Sequence, residues 1–185
     1  TTTAVSAQTL ISVEYKGTLV KTISNIGLAG FGLTAKNDID YYTVLYTMDN
    51  LSGRQDTVSG LYVCPSNVDP SSRYPTLVYQ HGTTDTKFGV PSRSMPGQDL
   101  PYIFATQGYA TIAPDFLNMG DDQEGFHPYV HARTEADAAI QMMAALRNDP
   151  IYSDLINEQL FLTGYSQGGH ASMALHEILI EEFPA

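Results

Sequence analysis

Six residues, Gly164-Tyr165-Ser166-Gln167-Gly168-Gly169, lie between a short apolar run at 159–163 and a segment at 167–183 that sets Ala171, Ala174, Leu175, Ile178 and Leu179 on one helical face. A strand that turns into a helix this abruptly leaves no room for side chains where the two backbones approach, and glycines at 164 and 168 supply that room. The serine between them is forced into a strained conformation, its hydroxyl presented above the strand end and the helix N-terminus just behind it. G-x-S-x-G in a strand–turn–helix setting presents a nucleophilic serine. The plainer reading, a glycine-rich turn, is outweighed by the strand and helix on either side.

The rest of the chain extends this strand–helix unit. Residues 41–49 and 55–63 are rich in β-branched and aromatic types and are separated by Asn50-Leu51-Ser52-Gly53-Arg54, which predicts a β-hairpin. Asn50-Leu51-Ser52 is also a glycosylation sequon, of consequence only in a eukaryotic secretory host. Pro65 is expected to end the hairpin, and 65–75 to form a surface loop. Short apolar runs at 74–80, 109–114 and 159–163 read as strands buried on both faces. Between the first two, 99–107 predicts a short helix. Between the second and third, Ala136, Ala139, Ile140, Met143 and Leu146 recur at helical spacing until Asn148-Asp149-Pro150 stops the pattern. Residues 7–35 read as a helix or turn region packed on the main body. The whole predicts an α/β three-layer domain with a mainly parallel sheet and an antiparallel edge.

A second motif, Gln80-His81-Gly82-Thr83-Thr84, follows the first parallel strand. Acyl transfer needs two N–H donors aimed at the oxyanion, one from the residue after the nucleophile and one from the loop after an earlier strand. Gln167 and Thr83 are the candidates, with Gly82 allowing close backbone approach and His81 as a structural loop residue; the alternative is a polar turn at a strand end.

Composition narrows the partners. Twenty Asp and Glu against nine Lys and Arg give a net charge of −11, and no basic cluster is present to neutralise phosphates, so nucleic acid is not expected. A neutral or cationic substrate suits this charge better than a polyanion. The one cysteine, Cys64, excludes an internal disulfide and a cysteine-rich zinc site, and its apolar neighbours predict a buried, inert thiol. Residues 1–6 are small and polar, without the cationic start and apolar core of a signal peptide, and suit a mature secreted or periplasmic chain. The longest apolar stretch, 26–33, is broken by three glycines and is too short to span a bilayer.

Together the two motifs, their order and the strand pattern resemble the α/β-hydrolase superfamily, closest to secreted bacterial lipases and esterases of the secretory-lipase type. The resemblance covers roughly 41–183, as the N-terminal portion through the turn at Ser166. It is carried by Tyr79-Gln80-His81-Gly82-Thr83-Thr84, Pro114-Asp115-Phe116, Gly125-Phe126-His127-Pro128-Tyr129-Val130-His131-Ala132 and Gly164-Tyr165-Ser166-Gln167-Gly168-Gly169-His170. It implies a carboxylic ester hydrolase working through an acyl-enzyme on Ser166, a small-molecule or lipid ester as substrate, and no metal or organic cofactor. The pentapeptide GYSQG also resembles that of cutinases, but those are tied by disulfides and carry the serine nearer mid-chain.

In this superfamily an acid and then a histidine follow the serine. Here 19 residues follow Ser166, and His170, His176, Glu177, Glu181 and Glu182 all fall in the helix that leads away from it. His170 is read as a packed core histidine rather than a base, and His127 and His131 as loop-ordering residues that could shape substrate access. A zinc site from Asp121, Asp122, His127 and His131 matches no specific spacing, and Asp121-Asp122-Gln123-Glu124 reads as a solvated turn. The expectation is one hydrolase domain, 1–35 as a packing segment and 36–185 as core, incomplete at its C-terminal end by about three strand–helix units of roughly 30 residues each. A complementary C-terminal chain or fragment is expected to supply the triad acid and histidine. A serine peptidase of the same fold and a non-catalytic hydrolase-like binding module remain as alternatives.

Overall fold

β-branched and aromatic residues build the antiparallel half of the sheet. In the computed structural model, which describes residues 10–183 except 123, β2 (Asp38–Asp49) and β3 (Gln55–Ser66) pair in unbroken register from Asp38 opposite Ser66 to Asp49 opposite Gln55. The turn between them is held by Asn50, whose Oδ1 accepts from Ser52 N–H at 2.9 Å, Ser52 Oγ at 2.7 Å and Arg54 N–H at 3.1 Å. The sequon asparagine is thus the residue that closes the hairpin. Pro65 does not end β3. The ladder to β5 covers only Gly60 to Val63, so the missing N–H of Pro65 falls beyond it.

The apolar runs form β4 (Tyr74–Gln80), β5 (Ala110–Pro114) and β6 (Ile156–Gly164), which pair in parallel with β4 in the middle. The sheet order is β1-β2-β3-β5-β4-β6. β1 (Leu10–Leu19) departs from the helix or turn expected for 7–35: it adds an antiparallel strand beside β2. Among the described residues of that segment Lys21–Leu28 is α-helical, as α1, and Ala29–Phe31 follows as a 3-10 turn. Residues 1–9, on which the reading of the chain start rests, lie outside the described residues.

Helices cover both faces, giving the expected three layers. On one face α2 (Leu100–Thr106), capped by Asp99, packs Tyr102 and Ala105 against Ile39, Leu61, Val63 and Leu77. On the other, α3 (Ala132–Leu146) packs Met142 and Leu146 on Tyr46, Tyr62 and Ile112, and the buried Tyr46 hydroxyl donates to Ala138 O at 2.9 Å. α5 (Gln167–Glu182) shares that face, joining Ala174 and Leu175 to Ala136, Ala139 and Val78, while the single turn α4 (Pro150–Ser153) leads into β6. Cys64 is buried in β3, and burial pushes its thiol up to about 12. β6 is the outer strand of the parallel half, with Leu160 and Phe161 more than 40% exposed. No helix among the described residues is long and apolar enough to cross a membrane.

Candidate active site

The C-terminal ends of β4, β5 and β6 bring the two motifs together. Ser166 joins β6 to α5 at φ 55° and ψ −117°, a conformation that a non-glycine residue holds only when its surroundings impose it. The cause lies in the flanking glycines. A β-carbon on Gly164 would collide with the Gly168 carbonyl, and one on Gly168 with the Gln80 carbonyl at the end of β4. Gly82 extends the same packing: its β-carbon position lies 3.2 Å from Tyr165 O and 3.9 Å from Ser166 Cβ. The loop after β4 therefore runs directly against the turn.

Ser166 is exposed, and among the described residues its hydroxyl has no hydrogen-bond partner. Neither Thr83 N–H nor Gln167 N–H donates to a protein acceptor among the described residues. The first lies in the loop against the turn, and the second opens α5, where helix N–H groups have no intrahelical acceptor.

Residues 124–131 form a strap over this corner. Tyr129 Oη lies 3.0 Å from Thr83 Oγ1, and His127 Nε2 lies 2.7 Å from Gln167 Nε2. His127 Nδ1–H donates to Leu117 O at 3.0 Å, so Nε2 is free to accept from the Gln167 amide. Its ring stacks on Phe116, which in turn packs on the buried His81. Burial holds the His127 imidazolium below the usual histidine range. His81 has both ring nitrogens against backbone carbonyls, Gly82 O at 2.8 Å and Asp115 O at 3.2 Å.

Two carboxylates brace the corner. Asp115, fully buried after β5, accepts from Ser59 Oγ at 2.6 Å and from both the N–H (2.9 Å) and the hydroxyl of Ser92. Burial pushes its carboxyl up, against the pull of those donors. Glu135, also at 0% exposure, accepts from Val130 N–H at 3.0 Å, Gln167 Nε2 at 2.7 Å and His170 Nδ1 at 2.8 Å. The sequence pattern did not single out Glu135. The available signal was a charged residue on the apolar face of α3, one turn before Ala139.

The remaining histidines and acids stand elsewhere. His170 is not a core residue: its side chain is 38% exposed and bonded to Glu135. His131 caps α3 by accepting Thr134 N–H, and His176 is exposed along α5. Asp121 and Asp122 are not simply solvated, contrary to the expectation for this acidic stretch. Asp122 is buried and accepts Asn118 N–H at 2.9 Å, and Asp121 donates its N–H to Ser59 Oγ and pairs with Arg93. His127, His131, Asp121 and Asp122 are thus separately engaged, and the described residues hold no cluster of three or more potential metal ligands.

No protein-family model matches the chain, and comparison with curated proteins gives no match. Solved structures do match. A Legionella pneumophila protein assigned as a hydrolase is 32% identical with a TM-score of 0.83, over 95% of this chain and 48% of that one. The rice cell wall degrading esterase LipA from Xanthomonas oryzae is 28% identical with a TM-score of 0.84, over 95% and 46%. Candida antarctica lipase A in its closed state, 18% identical, shares the fold with a TM-score of 0.62, over 95% and 39%. The fold is that of the α/β-hydrolases, and this chain spans about half the length, or less, of the structures it matches.

Proposed function

We propose that this chain carries the nucleophile and oxyanion hole of a serine hydrolase of the secretory-lipase type, acting on small-molecule or lipid carboxylic esters. The observation that carries the reading is the backbone of Ser166, held at φ 55° between β6 and α5 with Gly82 packed against it. Likeness to an esterase and to a second hydrolase supports the same class.

In this reading Ser166 Oγ forms a bond to the ester carbonyl carbon and gives its proton to a histidine. The carbonyl oxygen becomes an anion held by the free N–H groups of Thr83 and Gln167, while the N-terminus of α5 favours the charge. The bond to the alcohol then breaks, and the alcohol leaves with the histidine's proton. Water attacks the acyl-enzyme by the same route, releasing the acid and restoring the serine. No step needs a metal or an organic cofactor. His81, Gly82, Gly164 and Gly168 serve by placing the loop and the turn. Segments 85–98 and 117–133, joined where Lys87 Nζ donates to Gly125 O at 2.7 Å, border the acyl pocket.

The triad acid and histidine come from sequence outside this chain. Two observations support this: the engagement of His127, His131 and His170 in other bonds, and the exposed apolar residues of the outer strand β6. Likeness to a cell wall degrading esterase supports a secreted or periplasmic place of action. Hydrolysis of p-nitrophenyl esters tests the reading. Turnover by the native protein that contains this chain, lost in Ser166→Ala, is expected, with none from the isolated 185-residue chain. Robust turnover by the isolated chain would contradict the division of the triad, and turnover surviving Ser166→Ala would contradict the nucleophile.

A further inference from the structure

We propose that Glu135 is a positioning residue for the oxyanion hole, fixing the first turn of α5 so that the Gln167 N–H points where the oxyanion forms. The inference rests on the ester-hydrolase reading above.

A carboxylate at 0% exposure carries a large desolvation cost unless donors surround it. Glu135 has three, and they come from the parts that must be held together: Val130 in the strap, and Gln167 and His170 on the first turn of α5. Gripping residues three apart on one turn fixes both its rotation and its tilt against α3. The Gln167 amide is held from two sides, since its second proton goes to His127 Nε2, itself anchored by Leu117 O. Val130, a β-branched residue at φ 55°, is kept in that unfavourable conformation where its N–H reaches the same carboxylate. Strain at Val130 and at Ser166 is thus tied through one side chain to the donor next to the serine.

The consequence is kinetic. Loss of one oxyanion donor costs about 10²–10³-fold in kcat, so a misdirected Gln167 N–H is expected to cost about tenfold or more with KM little changed. A carboxylate that merely fastened α3 to α5 would change the amount of folded enzyme and leave kcat per active site alone.

The test uses ester hydrolysis by the native protein, with active sites counted by fluorophosphonate titration. Glu135→Ala is expected to lower kcat about tenfold or more, with KM within about twofold of wild type. Glu135→Gln, which keeps an acceptor oxygen for Gln167 and Val130, is expected to recover most of that loss. Gln167→Met keeps the backbone donor but removes the amide; it is expected to match Glu135→Ala, and the double variant to be no worse than either. A kcat per site unchanged in Glu135→Ala, or losses that multiply in the double variant, overturns the proposal. Should Glu135→Ala not fold, Gln167→Met alone decides by the same kcat criterion. Hydrolysis that survives Ser166→Ala would overturn the reading and this inference together, a result distinct from Ser166-dependent hydrolysis that ignores Glu135.

Discussion

The carbonyl oxygen of Gln80 occupies the place a β-carbon on Gly168 would need. That contact joins the end of β4 to the first turn of α5, and with it the loop carrying Thr83 to the turn carrying Ser166. Gly168→Ala must push the two apart. Overpacking of this kind costs about 1–3 kcal/mol, and for a chain of this size each kcal/mol lowers Tm by roughly 2–4 °C. Gly169 provides the control, since a β-carbon there meets only Gly164 O at 3.8 Å. Gly169→Ala is expected to leave Tm unchanged or raise it, because alanine is the better helix residue. Thermal melts of the two variants check the contrast.

Asp115 should make stability depend on pH in an unusual sense. Its folded carboxyl is raised above the ordinary value by burial, so above about pH 4 the native state holds a proton that the unfolded chain has released. Stability from this group therefore falls as pH rises through the window up to the folded value, by at most about 1.4 kcal/mol per pH unit. Urea unfolding of wild type and Asp115→Asn between pH 4 and 7 should show the wild type losing ground to the variant as pH rises. A difference that stays flat, or grows the other way, contradicts the raised value.

His127 is expected to be neutral at pH 7, with its proton on Nδ1. Its folded value is lowered by burial, so the stability it lends is present at neutral pH and declines as pH falls below about 6.5. Long-range nitrogen–proton NMR of the imidazoles should show the Nδ1–H tautomer and a titration midpoint below 6.5. A midpoint at or above that value, or a proton on Nε2, would contradict the bond from Gln167.

Cys64 should be silent in the folded protein. Its thiol is buried and pushed up to about 12, leaving almost no thiolate at pH 8. Ellman's reagent should react with one thiol per chain in denaturant and with none on the same timescale in buffer.

What the sequence made legible is local. Gly164 and Gly168 flank a serine between an apolar run and an amphipathic helix, and chemistry of that kind needs no distant partner to be read. β1 was hidden because bulges between Leu10 and Ser12 and between Tyr15 and Gly17 break the alternation that marks a strand, so that β2 supplies what local pattern lacks. Asp122 looked solvated for a similar reason: its acceptors are filled by loop N–H groups that only the folded turn brings near. Glu135 is the clearest case. Two of its three donors, on residues 167 and 170, lie 32 and 35 positions along the chain, beyond any local window.

That Ser166 is the nucleophile is tested most directly by a fluorophosphonate. Incubated with the native protein that contains this chain, the reagent should add one phosphonyl group, located by peptide mass spectrometry on Ser166 and absent from Ser166→Ala. Full occupancy of any other residue, or an unmodified Ser166 in a protein that hydrolyses esters, would contradict it.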